Sequence, residues 1–140
     1  MKLSIVLVLA VCGIASSASA NLGDNSDRIE DSYGTIAQRR LRDDGTVSVV
    51  YVKGRYMYLV TFANNRSISE SYSHVNGTDL SEKEITRFLK ANAAGATWSA
   101  TSSGMERRFK ISDATAEAVY GPVNGRPALT VRELHSDHRR

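Results

Sequence analysis

The chain is short of the residues that most often betray a function. Its single cysteine, Cys12, lies in an apolar N-terminal segment, so everything after that segment has no thiol. Thiol catalysis, thiolate metal sites and disulfide staples are thereby excluded from the rest of the chain. Histidine is also scarce, with three copies, and His135 and His138 fall in the final residues. A polar tail offers no preorganised metal site, so neither a metal nor any other cofactor is expected. An excess of one charge is missing too. The chain has 18 basic and 15 acidic residues, and without Lys2 the balance is 17 to 15, or +2. Without a concentrated basic face, nucleic acid is not an expected partner. Beyond residue 20 no apolar run is long enough to suggest a membrane span.

What is present begins with a leader. Lys2 supplies a positive start, Leu3 to Ile14 is apolar, and Ala18-Ser19-Ala20 is a small-residue cleavage site ahead of Asn21. Residues 1–20 are therefore expected to be a signal peptide, and 21–140 a single exported domain in the periplasm or the medium. Leu9-Ala10-Val11-Cys12 resembles a lipid-attachment motif, from which Val11 departs. With no disulfide, a chain of about 120 residues has to be held by one ordinary core.

The organising stretch is Thr46 to His74. Lys53-Gly54 and Asn64-Asn65 punctuate runs of β-branched and aromatic residues and predict a three-stranded meander. If Val52 faces Arg55, then Val49 faces Tyr58; if Ala63 faces Arg66, then Tyr58 faces Ser71. One face then collects Val47, Val49, Tyr51, Tyr56, Tyr58, Val60 and Phe62, with Ser67, Ser69, Ser71 and Ser73 alongside, and is assigned to the core. The opposite face collects Arg55, Met57, Leu59, Ile68, Glu70, Tyr72 and His74. Its mixture of apolar and charged residues marks either a covered layer or an interaction surface.

Around this sheet, Ser26 to Tyr33 predicts a short helix stopped by Gly34, preceded by a loose polar leader from Asn21. Arg39, Arg40, Arg42, Asp43 and Asp44 read as a charged connection. Ser81 and Glu84 form a capping box, with Leu80 and Ile85 as its staple, and open a helix expected to reach Ala94 before Gly95. Ile85, Phe88 and Leu89 are its apolar stripe. Trp98 is expected to close the edge of the core, ahead of a small-residue loop from Ala100 to Gly104. Glu106 to Ile111, Thr115 to Tyr120 and Ala128 to Leu134 predict three more strands, the last two joined by a loop from Gly121-Pro122 to Arg126-Pro127. The expected fold is α+β: an antiparallel sheet of about six strands, in two three-stranded meanders, with two helices packed on one face.

The helix ending at Tyr33-Gly34, the pairing of Val47 to Tyr51 with Tyr56 to Phe62, and the Asn64-Asn65 turn together resemble the helix-plus-meander pattern of small exported bacterial proteins. These include the outer-membrane assembly lipoproteins and the β-lactamase inhibitor proteins. The resemblance implies helices on one sheet face and a protein partner on the other face or its loops.

No catalytic set emerges. His74, with Glu70 four residues earlier on the same sheet face, is a candidate general base that lacks a nucleophile or oxyanion hole beside it. The serine row contains no nucleophile elbow, and no phosphate-cradling loop occurs. The expected function is a non-catalytic exported module that binds a macromolecular partner of the cell envelope through Arg55, Met57, Leu59, Ile68 and Tyr72. The alternative is a small periplasmic enzyme or small-ligand carrier with a pocket near Trp98 and His74.

Overall fold

The computed structural model describes residues 21–102 and 106–134; the leader with Cys12 and the tail with His135 and His138 lie outside them. Helix α1 (Ser26–Tyr33) is followed by β1 (Thr35–Leu41), β2 (Val47–Lys53), β3 (Tyr56–Ala63) and β4 (Arg66–His74). Helix α2 (Glu82–Ala91) then leads to β5 (Trp98–Ser102), β6 (Arg107–Ile111), β7 (Ala116–Val123) and β8 (Arg126–Glu133). The strands form one antiparallel sheet in the order β1-β2-β3-β4-β8-β7-β6-β5. The expected six-stranded sheet of two three-stranded meanders is therefore incorrect. There are two four-stranded meanders, joined where β4 pairs with β8.

The two extra strands are the edges. All seven residues of β1 are exposed, which leaves no alternation of apolar and polar positions to read. Its Arg39 and Arg40 are ladder residues, paired with Val49 and Ser48, and not part of a loop. At the other edge, β5 begins with Trp98 itself and pairs only with β6; the Ser-Ala-Thr-Ser that follows carries no alternation of apolar and polar residues to mark a strand. The loop expected between Gly121 and Pro127 is instead the end of the β7–β8 hairpin, with Pro122 opposite Pro127 and Asn124-Gly125 at the tip. Prolines are tolerated there because the β6 and β4 ladders stop at Tyr120 and Leu129, leaving that part of the hairpin with no neighbour on either flank.

Both helices lie on one face. The capping box of α2 forms as expected, Ser81 Oγ accepting from the Glu84 N–H and Glu84 Oε1 from the Ser81 N–H. The helix ends at Ala91, three residues before Ala94, and its C-cap Asn92 is buried on the same side as the stripe, its Nδ2 donating to the Tyr72 hydroxyl. Ile29 and Tyr33 of α1, and Ile85, Phe88 and Leu89 of α2, meet Val49, Tyr51, Tyr58, Val60, Phe62, Tyr72, Leu129 and Val131 of the sheet in one cluster. Tyr33 stacks on Tyr58 with ring centroids 4.1 Å apart, and Phe88 stacks on Tyr72 at 4.4 Å. Gly34 closes α1 at φ +86°, where a Cβ would stand 3.2 Å from the Val52 carbonyl oxygen. Its lack of a side chain lets the helix end sit directly against β2.

Two departures from the expected register differ in kind. The β2–β3 hairpin pairs Lys53 with Tyr56, so its loop is Gly54-Arg55 and every partner moves by two; Val49 faces Val60. That turn puts the positive φ on Gly54. A shift of two preserves which face each side chain takes. In β3–β4, Phe62 pairs with Ser67 but Thr61 pairs with Ser69, leaving Ile68 as the extra residue of a bulge. A shift of one exchanges faces, so Glu70, Tyr72 and His74 join the core side while Ser69, Ser71 and Ser73 move to the other. The serine row expected under the helices is corrected accordingly; Ser67, ahead of the bulge, alone remains on the core side and is fully buried.

Candidate functional site

The face opposite the helices is the first candidate. Its positions, followed across the ladders, include Gln38 and Arg40 of β1, Ser48 and Val50 of β2, Met57, Leu59 and Thr61 of β3, and Ser69, Ser71 and Ser73 of β4. Beyond β4 it continues through Thr130 and Arg132 of β8 and Glu117 and Val119 of β7. Ser71 and Thr130 touch across the β4–β8 seam, their hydroxyls 2.7 Å apart. Neither helix packs on this side. Val50, Met57 and Leu59, each half-buried, line a depression of about 690 Å³ whose rim includes Gln38, Arg40, Asp43 and Asp44. A smaller depression of about 220 Å³ lies at Val119, Thr130 and Arg132.

Of the five residues expected to form a contact surface, Met57 and Leu59 are on this face. Arg55 is in the β2–β3 turn, 4.0 Å from Glu84, and Ile68 occupies the bulge. Tyr72 is a core residue, 1% exposed, because the bulge turned it inward. Gln38 and Arg40 were missed since β1 itself was missed, and an all-exposed edge strand carries no periodic signal that could have found it.

His74 belongs to a second cluster, at the N-terminal end of α2. It pairs with Tyr56, not with Arg55, and its Nε2 lies 2.8 Å from Glu84 Oε2. Tyr56 donates its hydroxyl to the same oxygen and accepts from Arg87 Nη2 at 2.8 Å. Burial pushes the Glu84 carboxyl upward, but the hydrogen bonds from Tyr56, the Ser81 backbone, His74 and the Ser81 hydroxyl outweigh it and hold the group at about 2. His74 Nδ1 is 2.8 Å from Thr78 Oγ1. With both ring nitrogens engaged and Glu84 committed to the capping box, the cluster clasps strand to helix and leaves no group aimed at a substrate.

Glu70, the expected companion of His74, sits elsewhere in the core. Its Oε2 accepts from Tyr33 at 2.5 Å and from Tyr72 at 2.6 Å, and its Oε1 from Ser67 at 3.1 Å. It is fully buried, and among the described residues no salt bridge reaches it. Desolvation raises its carboxyl above the usual range, against the opposing pull of these hydroxyls.

A depression of about 390 Å³ lies beside Trp98, lined by Leu89, Ala93, Ala96, Ala100 and Phe109 with Lys90 and Thr97. Trp98 Nε1 is buried and has no hydrogen-bond partner among the described residues. His74 does not line this space; it lies beside Glu84 in the first turn of α2, whereas Trp98 follows the other end of that helix. Among the described residues no group of three or more His, Cys, Asp or Glu could hold a metal, and no helix is long and apolar enough to cross a membrane.

No family model matches the chain, and no curated protein matches it. Among solved structures it is similar to a cysteine-rich secretory protein from Staphylococcus aureus subsp. aureus Mu50, at 9% identity and a TM-score of 0.47. That alignment covers 80% of this chain and 44% of the other, so this chain spans less than half the length of that protein. A likeness at this level bears on neither family nor function.

Proposed function

We propose that the chain is an exported, non-catalytic module that binds a protein partner of the cell envelope through the helix-free face of its sheet. The observation that carries this reading is that the apolar side chains Val50, Met57 and Leu59 line a broad depression on the side away from both helices, with Gln38, Arg40, Asp43 and Asp44 at its rim and Asn124 of the β7–β8 hairpin tip beside it. Half-buried apolar groups inside a polar rim are the composition of a protein contact surface. Export is supported by the leader composition and by the Ala18-Ser19-Ala20 site.

The test is capture from the envelope of the exporting cell, comparing the natural chain with a Met57→Asp, Leu59→Asp double variant. A partner recovered by the first and lost by the second, with both melting within a few degrees of each other, supports the reading. Equal recovery by both chains overturns it, and so does unfolding of the variant, because these side chains would then be core.

A second reading, a carrier for a small apolar ligand, is favoured by the Leu89, Trp98 and Phe109 depression and the unpaired Trp98 Nε1. Ligand seated there would change the fluorescence of the single tryptophan saturably. A flat titration across apolar ligands would remove it.

A further inference from the structure

The polar stretch at Asn21, expected to be a loose leader, is tied down from its first residue. Asn21 N is 2.8 Å from Asp24 Oδ2, and Leu22 N donates to Asn92 Oδ1 at 2.8 Å. Gly23 N donates to both the carbonyl oxygen and the hydroxyl of Ser67, each at 2.8 Å, and Ser67 N returns a bond to the Asp24 carbonyl at 2.9 Å. Leu22 packs against the core cluster. Ser67 and Asn92 are the same side chains that bond Glu70 and the Tyr72 hydroxyl, so the segment is continuous with the buried polar network.

We propose that hydrolysis of the Ala20–Asn21 bond makes Asn21 the N-terminal residue, and that its new α-ammonium pairs with the Asp24 carboxylate to clasp the mature terminus onto the fold. This rests on the export reading. Water adds across the peptide C–N bond: Ala20 leaves with a carboxylate, and Asn21 keeps the nitrogen, which takes up a proton. Before cleavage that nitrogen is an amide carrying one neutral N–H. Afterwards it is a cation at the same place, 2.8 Å from an anion, and the hydrogen bond becomes charge-assisted. The anchoring bonds begin at the very first residue after the cleaved bond. Cleavage thus adds a charge to a terminus already held by the bonds of Leu22 and Gly23, and the ion pair completes it.

The experiment expresses the full chain with its leader in a secreting bacterial host, measures the intact mass of the exported product, and then times acetylation of the folded product's α-amine at pH 7. The expected mass is that of a chain starting at Asn21. An ion pair of ordinary surface strength lowers the free-amine fraction about threefold at that pH, so the Asp24→Asn and Asp24→Ala products should react about three times faster than the natural one. In concentrated urea all three should react alike. A product that keeps residues 1–20, or begins elsewhere, removes both the export reading and the clasp. A product that starts at Asn21 but reacts at the same rate with or without Asp24 overturns the clasp alone.

Discussion

Two glutamates on the same side of the sheet, Glu70 and Glu84, are shifted in opposite directions by their surroundings. Both accept tyrosine hydroxyls. Among the described residues Glu70 has only hydroxyl donors and no cation, and desolvation dominates. Glu84 also receives a backbone N–H and His74, with Arg55 nearby, and its carboxyl is held low. The contrast teaches that hydroxyl donors alone do not offset the desolvation of the fully buried Glu70, whereas at the less deeply buried Glu84 a capping-box backbone donor and a ring nitrogen join a tyrosine hydroxyl and outweigh it. Between the two clusters lies Phe88, stacked on Tyr72 and edge-on to Tyr56 at 5.5 Å.

Removing that divider is the most drastic way to break the comparison. Phe88→Ala should cost about 3–5 kcal/mol in denaturant unfolding, since a cavity opens against both tyrosines. Tyr72→Phe keeps the ring but takes a donor from Glu70 and an acceptor from Asn92; it should cost about 1–3 kcal/mol. Because Glu84 has a depressed value in the folded chain, the stability it contributes is complete above the ordinary glutamate range and is lost as pH falls from there toward 2. Glu84→Gln should cost about 1–2 kcal/mol at pH 7 and flatten that acid-side decline, as read by urea midpoints between pH 2 and 6.

Glu70 carries the opposite sign. Its raised value means that stability is fully present below the ordinary glutamate range and is lost as pH rises through the folded value. Glu70→Gln should therefore change stability least at acid pH and be neutral or stabilising at pH 8, with the alkaline-side decline removed. A Glu70→Gln chain that loses stability at pH 8 would mean the carboxylate is better compensated than its partners allow.

How much was legible follows the range of each signal. Helix α1 was read to the residue, and Ser81 with Glu84 located the start of α2, because caps act within one turn of chain. Tyr56, Tyr58, Val60 and Phe62 were placed on the core face even though the Gly54-Arg55 loop was misplaced by one position, since the resulting two-residue shift conserves faces. The Ile68 bulge conserved nothing: Tyr72 was assigned to the contact surface and is core, and Glu70 became a buried acid. Met57 and Leu59 were read onto the face opposite the helices, but the Gln38 and Arg40 side of that face was not.

By itself the sequence determined both helix starts, three strands of each meander and the Asn64-Asn65 turn, because each depends on residues a few positions apart. Only the tertiary structure decided that Thr35–Leu41 and Trp98–Ser102 are strands, that β4 meets β8, and that β4 turns over at Ile68. Those features are settled by which backbone hydrogen bonds a distant strand offers and which side chain fills the space beneath a helix, and neither quantity is written in the local pattern of residues.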